Sequence, residues 1–257
     1  TWLGASYTED GGFVLNKDFY DITFFSEDKI VEILSEGKKF LETNLKPINP
    51  LYTCISFRAG AWSAKDSGKL ISALLKSGYR VDSTVAKGAH LKSGYGTFDF
   101  RCVPDKPYWN VKEDICKEST SLNCILELPI LTSRTKLAPF FYISNKRRSV
   151  NSIVSDFYKT KITDQGSSIF SKIKKILSRD FVLADFNFMP AKKLLKIIKK
   201  EVDSASIKES TLPITLIGHS KTSYQNDDFH LFIRGLEKEY NVSYDTVSSY
   251  YMSLAEE

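Results

Sequence analysis

Apolar and polar positions along this chain follow two periods in turn, one helical and one extended. Between Glu27 and Asn44, Ile30, Ile33, Leu34, Phe40 and Leu41 recur at three-to-four spacing, which predicts an amphipathic helix. A β-rich run follows at 51–57, then a second helix from about Ser63 to Lys76. Ser63 suits an N-cap, Leu70, Ile71, Leu74 and Leu75 make the buried stripe, and Gly78 suits the left-handed position that ends a helix. Runs at 79–82, 124–130 and 181–186 read as strands, the middle one apolar enough to be buried on both faces. A helix is predicted around 169–177, and another where Pro190 precedes Leu194, Leu195, Ile197 and Ile198. A strand at 212–218, a helix at 227–239 and a last strand near 242–247 close the chain. The stretch 86–117 is too long for a bare connector, and loops of that length tend to be functional. Strands alternating with helices predict one α/β domain with a mainly parallel sheet or barrel.

Composition changes this picture little. With 257 residues, 42% hydrophobic and 26% charged, the chain is an ordinary globular sequence able to bury a core. Its net charge of +5 is too weak to imply nucleic acid. No stretch approaches the roughly 20 apolar residues of a membrane span, and Thr1-Trp2-Leu3-Gly4 lacks the basic start and apolar core of a signal peptide. Cys54, Cys102, Cys116 and Cys124 show no two-residue metal or redox spacing. Reduced thiols and a cytoplasmic location are the expectation.

Candidate chemistry gathers at predicted strand ends, where β/α sheets and barrels place their ligands. Arg58 follows the strand at 51–57, Asp82 ends the strand at 79–82, and His219 ends the strand at 212–218. His219 has the unperturbed pKa for proton transfer near neutrality, or it caps a strand. Asp82 would raise the His219 pKa if the two met, or it is an Asx-turn residue. Arg58 could orient a carboxylate through its fork, or pair structurally with a nearby Asp. Glu127 breaks an apolar strand with a charge, so it is either paired or pocket-facing. Trp62, Tyr108 and Trp109 offer flat faces for stacking on sugar rings, or they simply pack. His90 and His230 have no partner at ligand spacing, and the lysines from 192 to 200 read as a solvated helix face. Gly218-His219-Ser220-Lys221-Thr222 has Thr222 where a nucleophile elbow needs glycine, which argues against a serine hydrolase.

Taken in order, Phe57-Arg58-Ala59-Gly60-Ala61, Tyr79-Arg80-Val81-Asp82-Ser83-Thr84 and Leu216-Ile217-Gly218-His219 resemble motifs of the polysaccharide deacetylase family, carbohydrate esterase family four. Asp99-Phe100-Arg101, Pro107-Tyr108-Trp109 and Leu126-Glu127-Leu128-Pro129 add likeness to its branch associated with bacterial surface-polysaccharide synthesis. The resemblance spans roughly residues 50–250. It implies a distorted, incomplete β/α barrel and metal-dependent removal of acetyl groups from a saccharide. Arg58 then stands in the Arg-x-Pro motif, with Gly60 where proline is usual, and Ala61 N–H falls where the family holds the oxyanion. Asp82 would tune the catalytic His, without the Trp often found after it. His219 would be the general acid, and Trp62, Tyr108, Trp109 and Glu127 would line the saccharide.

The family's Thr-Phe-Asp-Asp run and its His motif, which carry the base and the ligands of a divalent metal, do not occur here. In the family the His motif precedes the Arg motif, and Thr1-Trp2-Leu3 looks like sequence just after it. The expectation is therefore an N-terminally truncated barrel whose metal ligands lie upstream. By itself such a chain should be inactive, with no metal ligand of its own. The rival reading is a glycan-binding or scaffolding protein on a degenerate deacetylase fold.

Overall fold

The computed structural model of the protein describes residues 5–15, 21–64, 66–93, 96–135, 180–187, 189–205, 211–218 and 227–254. The chain divides into two compact units, Thr1–Ile130 with Tyr244–Glu257, and Leu131–Ser243. Among the described residues the architecture is mixed α/β with five helices, and no closed barrel forms.

The first unit is organised by a four-stranded sheet. Its strands are β3 (Ser56–Phe57), β4 (Val81–Asp82), β8 (Ile125–Glu127) and β7 (Trp109–Val111), in the order β3-β4-β8-β7. The first three are parallel, and β7 joins β8 antiparallel. Hairpins β1 (Ala5–Tyr7) with β2 (Phe13–Leu15) and β5 (His90–Ser93) with β6 (Gly96–Asp99) complete its strands. Helix α1 (Glu27–Leu45) starts on Ser26, whose hydroxyl accepts the Lys29 N–H. It buries Ile30 and Leu34, while Phe40 and Leu41 of the predicted stripe stay exposed.

Helix α2 (Ser67–Lys76) begins four residues later than predicted. Asp66, not Ser63, caps it by accepting the Lys69 N–H, and Gly60–Trp62 before it form a 3₁₀ turn. Gly78 ends α2 at φ 76°, with Tyr79 N–H donating back to Leu74 O over 2.9 Å. That left-handed position favours glycine.

Two further corrections concern the second half of this unit. Residues 86–117 are not one long loop: they hold the β5–β6 hairpin, β7 and a Cys102–Cys116 disulfide with Cα atoms 5.3 Å apart. The expectation of reduced thiols thus fails for this pair, while Cys54 and Cys124 are unbridged. The last predicted strand, near 242–247, does not form: residues 242–246 have no regular structure, and a helix, α5 (Val247–Ser253), begins after Thr246, whose hydroxyl accepts the Ser249 N–H. Val81, Leu126 and Leu128 form a small core against Tyr108, Val247, Tyr250, Tyr251 and Leu254.

The second unit pairs β9 (Thr132–Thr135) with β10 (Asp180–Leu183) antiparallel and packs α3 (Ala191–Ser204) beside α4 (Asp227–Glu239). Its core holds Val182, Leu194, Ile197, Ile198 and Phe232. The lysines of α3 lie off that core: Lys192, Lys196, Lys199 and Lys200 are exposed, and Lys193 is half-buried. Thr215 and Ile217 are isolated bridge residues, Ile217 pairing in parallel with Asp185, so residues 212–218 supply bridges rather than a full strand. The predicted helix at 169–177 lies outside the described residues. None of the helices described is long and apolar enough to cross a membrane.

Candidate functional site

Sheet register brings the chemistry together. Phe57 lies opposite Asp82, Asp82 opposite Glu127, and Glu127 opposite Trp109, one row across four strands. Side chains alternate between faces along a strand, so Asp82, Glu127 and Trp109 share a face. Val81, Leu126 and Leu128 take the other, against α5. The row sits at the carboxyl ends of the three parallel strands, where such sheets place chemistry.

The two carboxyls are dry. Asp82 is 2% exposed and Glu127 1%. The Thr84 hydroxyl donates to Asp82 Oδ1 over 2.6 Å and itself accepts the Ala59 N–H over 2.9 Å. Glu127 Oε1 accepts the Val85 N–H over 3.0 Å, whereas no hydrogen bond satisfies Oε2. Burial lifts Asp82 from 3.8 to about 6, against the lowering pull of the Thr84 and Glu127 hydrogen bonds and the Arg58 charge. Burial, followed by the Asp82 charge, holds Glu127 well above the ordinary glutamate range. The two carboxyls act on each other directly, Asp82 raising Glu127 and Glu127 lowering Asp82. We read them as neighbouring acids competing for protons in one dry site.

Arg58 spans the same strand ends. Arg58 is exposed to solvent, yet it donates from Nε to Ser83 O and from one terminal nitrogen to Ser83 Oγ, both over 2.9 Å. Burial lowers its pKa, while Asp82 and then Glu127 pull it up. The turn after it is unusual: Trp62 has φ 54°, a left-handed conformation that a bulky residue adopts at a cost of about 1–3 kcal/mol. Its ring meets Phe98 edge-on at 6.1 Å, and Phe98 stacks on Phe100. The carbonyls of Ala59 and Gly60 accept from Trp62 and Ser63.

The remaining predicted residues fall elsewhere. Trp109 is in β7 rather than a loop, 1% exposed, and its indole N–H donates to Ile115 O over 3.1 Å. Tyr108 packs edge-on against Tyr250 at 6.2 Å, on the face away from the carboxyls. Asp99 and Arg101 form an exposed ion pair, and Phe100 between them is buried. His90 lies opposite Asp99 in the hairpin and His230 is exposed on α4. His219 lies outside the described residues. Thr84 is the member that sequence reasoning missed. Its signal was its place two residues after Asp82, within reach of a local side-chain hydrogen bond.

Gly218 has a packing reason of its own. A Cβ there would stand 2.0 Å from Phe186 Cζ and 2.5 Å or less from two neighbouring ring atoms. Phe186 is itself packed on Phe229, with ring centres 5.1 Å apart, and cannot swing aside at no cost. Gly218→Ala should destabilise the protein by about 1–3 kcal/mol in urea unfolding, the range for overpacked sites. An unchanged midpoint would show that the ring yields.

The metal implied by the resemblance finds no fit here. Among the described residues no three His, Cys, Asp or Glu side chains gather as a ligand set. Glu127 stands beside a guanidinium and is held well above the ordinary glutamate range, unlike a ligand carboxylate. Comparisons with protein-family models, curated proteins and solved structures give no match.

Proposed function

We propose that this chain belongs to a saccharide deacetylase, a hydrolase releasing acetyl groups from an acetylated sugar, built on a divergent and incomplete β/α barrel. The observation that carries the reading is the seating of Arg58 and Asp82 on neighbouring ends of parallel strands, joined through Ser83 and Thr84. In this reading Ala61 N–H donates to the oxygen that gains charge when the acetyl carbonyl is attacked. His219 protonates the leaving amine or alkoxide. Arg58 and Asp82 position the Ala61 turn, and Trp62, half-exposed on that strained turn, receives the sugar ring. The ligands of a divalent metal are not among the described residues, so the part assigned to this chain is substrate binding, oxyanion support and proton supply.

The test is calorimetric titration with an N-acetylated amino-sugar oligosaccharide, paired with an acetate-release assay in the presence of divalent metal. Binding that Trp62→Ala weakens is the expected result for this chain, and acetate release that His219→Ala lowers is expected of a form that also carries the metal ligands. Binding without any acetate release in that form would favour a glycan-binding module instead. Neither binding nor release would overturn both.

A further inference from the structure

Glu127 is the group the proposed reaction does not use. It is an acid with one oxygen on a backbone N–H, the other unsatisfied, and no water contact. Sheet register sets it beside Asp82, which is equally buried. Two ionised carboxylates there would repel each other in a medium that screens them poorly, with a single guanidinium nearby. Two protonated ones would leave Arg58 without a counter-charge. One proton between them gives one negative charge against one positive charge.

We propose that Glu127 permanently holds that proton against Asp82, and that the resulting single-charge pair seats the Arg58–Trp62 turn on the end of β4. The path is contiguous. Glu127 lies opposite Asp82 in the register; Asp82 accepts from Thr84; Thr84 accepts from Ala59 N–H; and Arg58 clasps Ser83. Removing the proton places a second negative charge beside Asp82. Arg58 is then drawn off Ser83 toward the carboxylates, and the turn carrying Ala61 and Trp62 shifts. Glu127 is thus a positioning residue, and its catalytic consequence alone rests on the deacetylase reading.

The charged groups acting on Glu127 are Asp82 on β4 and Arg58 after β3. β7 places uncharged Trp109 beside it. α2, which also packs on β8, carries Lys69 and Lys76, held by Asp66 and Glu27.

Two readouts, neither requiring hydrolysis, decide the matter. Infrared spectra of protein labelled with ¹³C at glutamate carboxyls should keep an un-ionised acid band at neutral pH, and Glu127→Gln should lose it. In protein carrying 5-fluorotryptophan, the Trp62 resonance, assigned with Trp62→Phe, should move at the alkaline pH where that band disappears. In Glu127→Gln it should stay still. Should Glu127→Gln fail to fold, Asp82→Asn serves. Losing the Asp82 charge should move the disappearance of the band to lower pH. No acid band in folded wild type at neutral pH, or a Trp62 resonance that titrates identically without Glu127, overturns the proposal. A failed acetate-release assay would sink the deacetylase reading and leave this one standing.

Discussion

Trp109→Ala should cost about 3–5 kcal/mol of stability, the range for removing a large aromatic side chain from a packed core. Trp109 is 1% exposed and among the largest fully buried side chains of the described residues. Its removal also deprives the Ile115 carbonyl of the indole N–H, which adds to the transfer and cavity losses. Trp109→Phe separates the two contributions. It keeps most of the ring volume and gives up the hydrogen bond, so its loss should be clearly smaller. Urea unfolding of the three proteins makes the comparison, and the saccharide titration adds a discriminating arm. A packing residue lowers affinity only through the unfolded fraction. If Trp109→Ala were as stable as wild type but lost saccharide binding, Trp109 would be a stacking platform and the buried assignment would be wrong.

Trp109 also shows where sequence pattern stops informing. Tyr108-Trp109 follows Pro107 among polar residues, and nothing local announces a strand. What makes one is the antiparallel pairing of Trp109 with Glu127, eighteen positions on, a contact no short window contains. Glu127 was ambiguous for the same reason. Whether it is paired depends on β4 and β8 being neighbours, which is topology rather than propensity.

Features set by local chemistry were easier to read. The three-to-four spacing of Ile30 and Leu34 places α1, Gly78 ends α2, Arg58 follows a strand and Asp82 closes one. The failures at helix starts are also local. Ser63 and Asp66 are both competent caps, and only Asp66 takes the Lys69 N–H. At 242–247, Val242 and Val247 favour a strand by type, but tertiary packing of Val247, Tyr250 and Leu254 on Val81, Leu126 and Leu128 overrides that preference. A fourteen-residue cysteine spacing carries no disulfide signature, so the 102–116 bridge was invisible.

Asp82 gives a pH dependence whose sign follows from its burial. Its carboxyl is near 3.8 when exposed and about 6 in the folded protein. A folded state that binds the proton more tightly gains stability at low pH and loses it as pH rises. The contribution is therefore fully present below about 4 and gone above about 6. At about 1.4 kcal/mol per pKa unit, the change from 3.8 to about 6 makes the span about 3 kcal/mol. Other groups titrate in this window too, among them carboxylates lowered by surface pairing such as Glu27 and Glu42, which act with the opposite sign. The useful quantity is thus the difference between wild type and Asp82→Asn, in which those groups cancel. Asparagine keeps the acceptor for Thr84 and has no proton to lose. Wild-type stability, measured by urea unfolding from pH 4 to pH 7, should fall relative to Asp82→Asn by about 3 kcal/mol up to pH 6 and then run level with it. Curves that stay parallel throughout would mean that Asp82 ionises as an ordinary carboxylate. The dry acid pair beside Arg58 would then not exist as described.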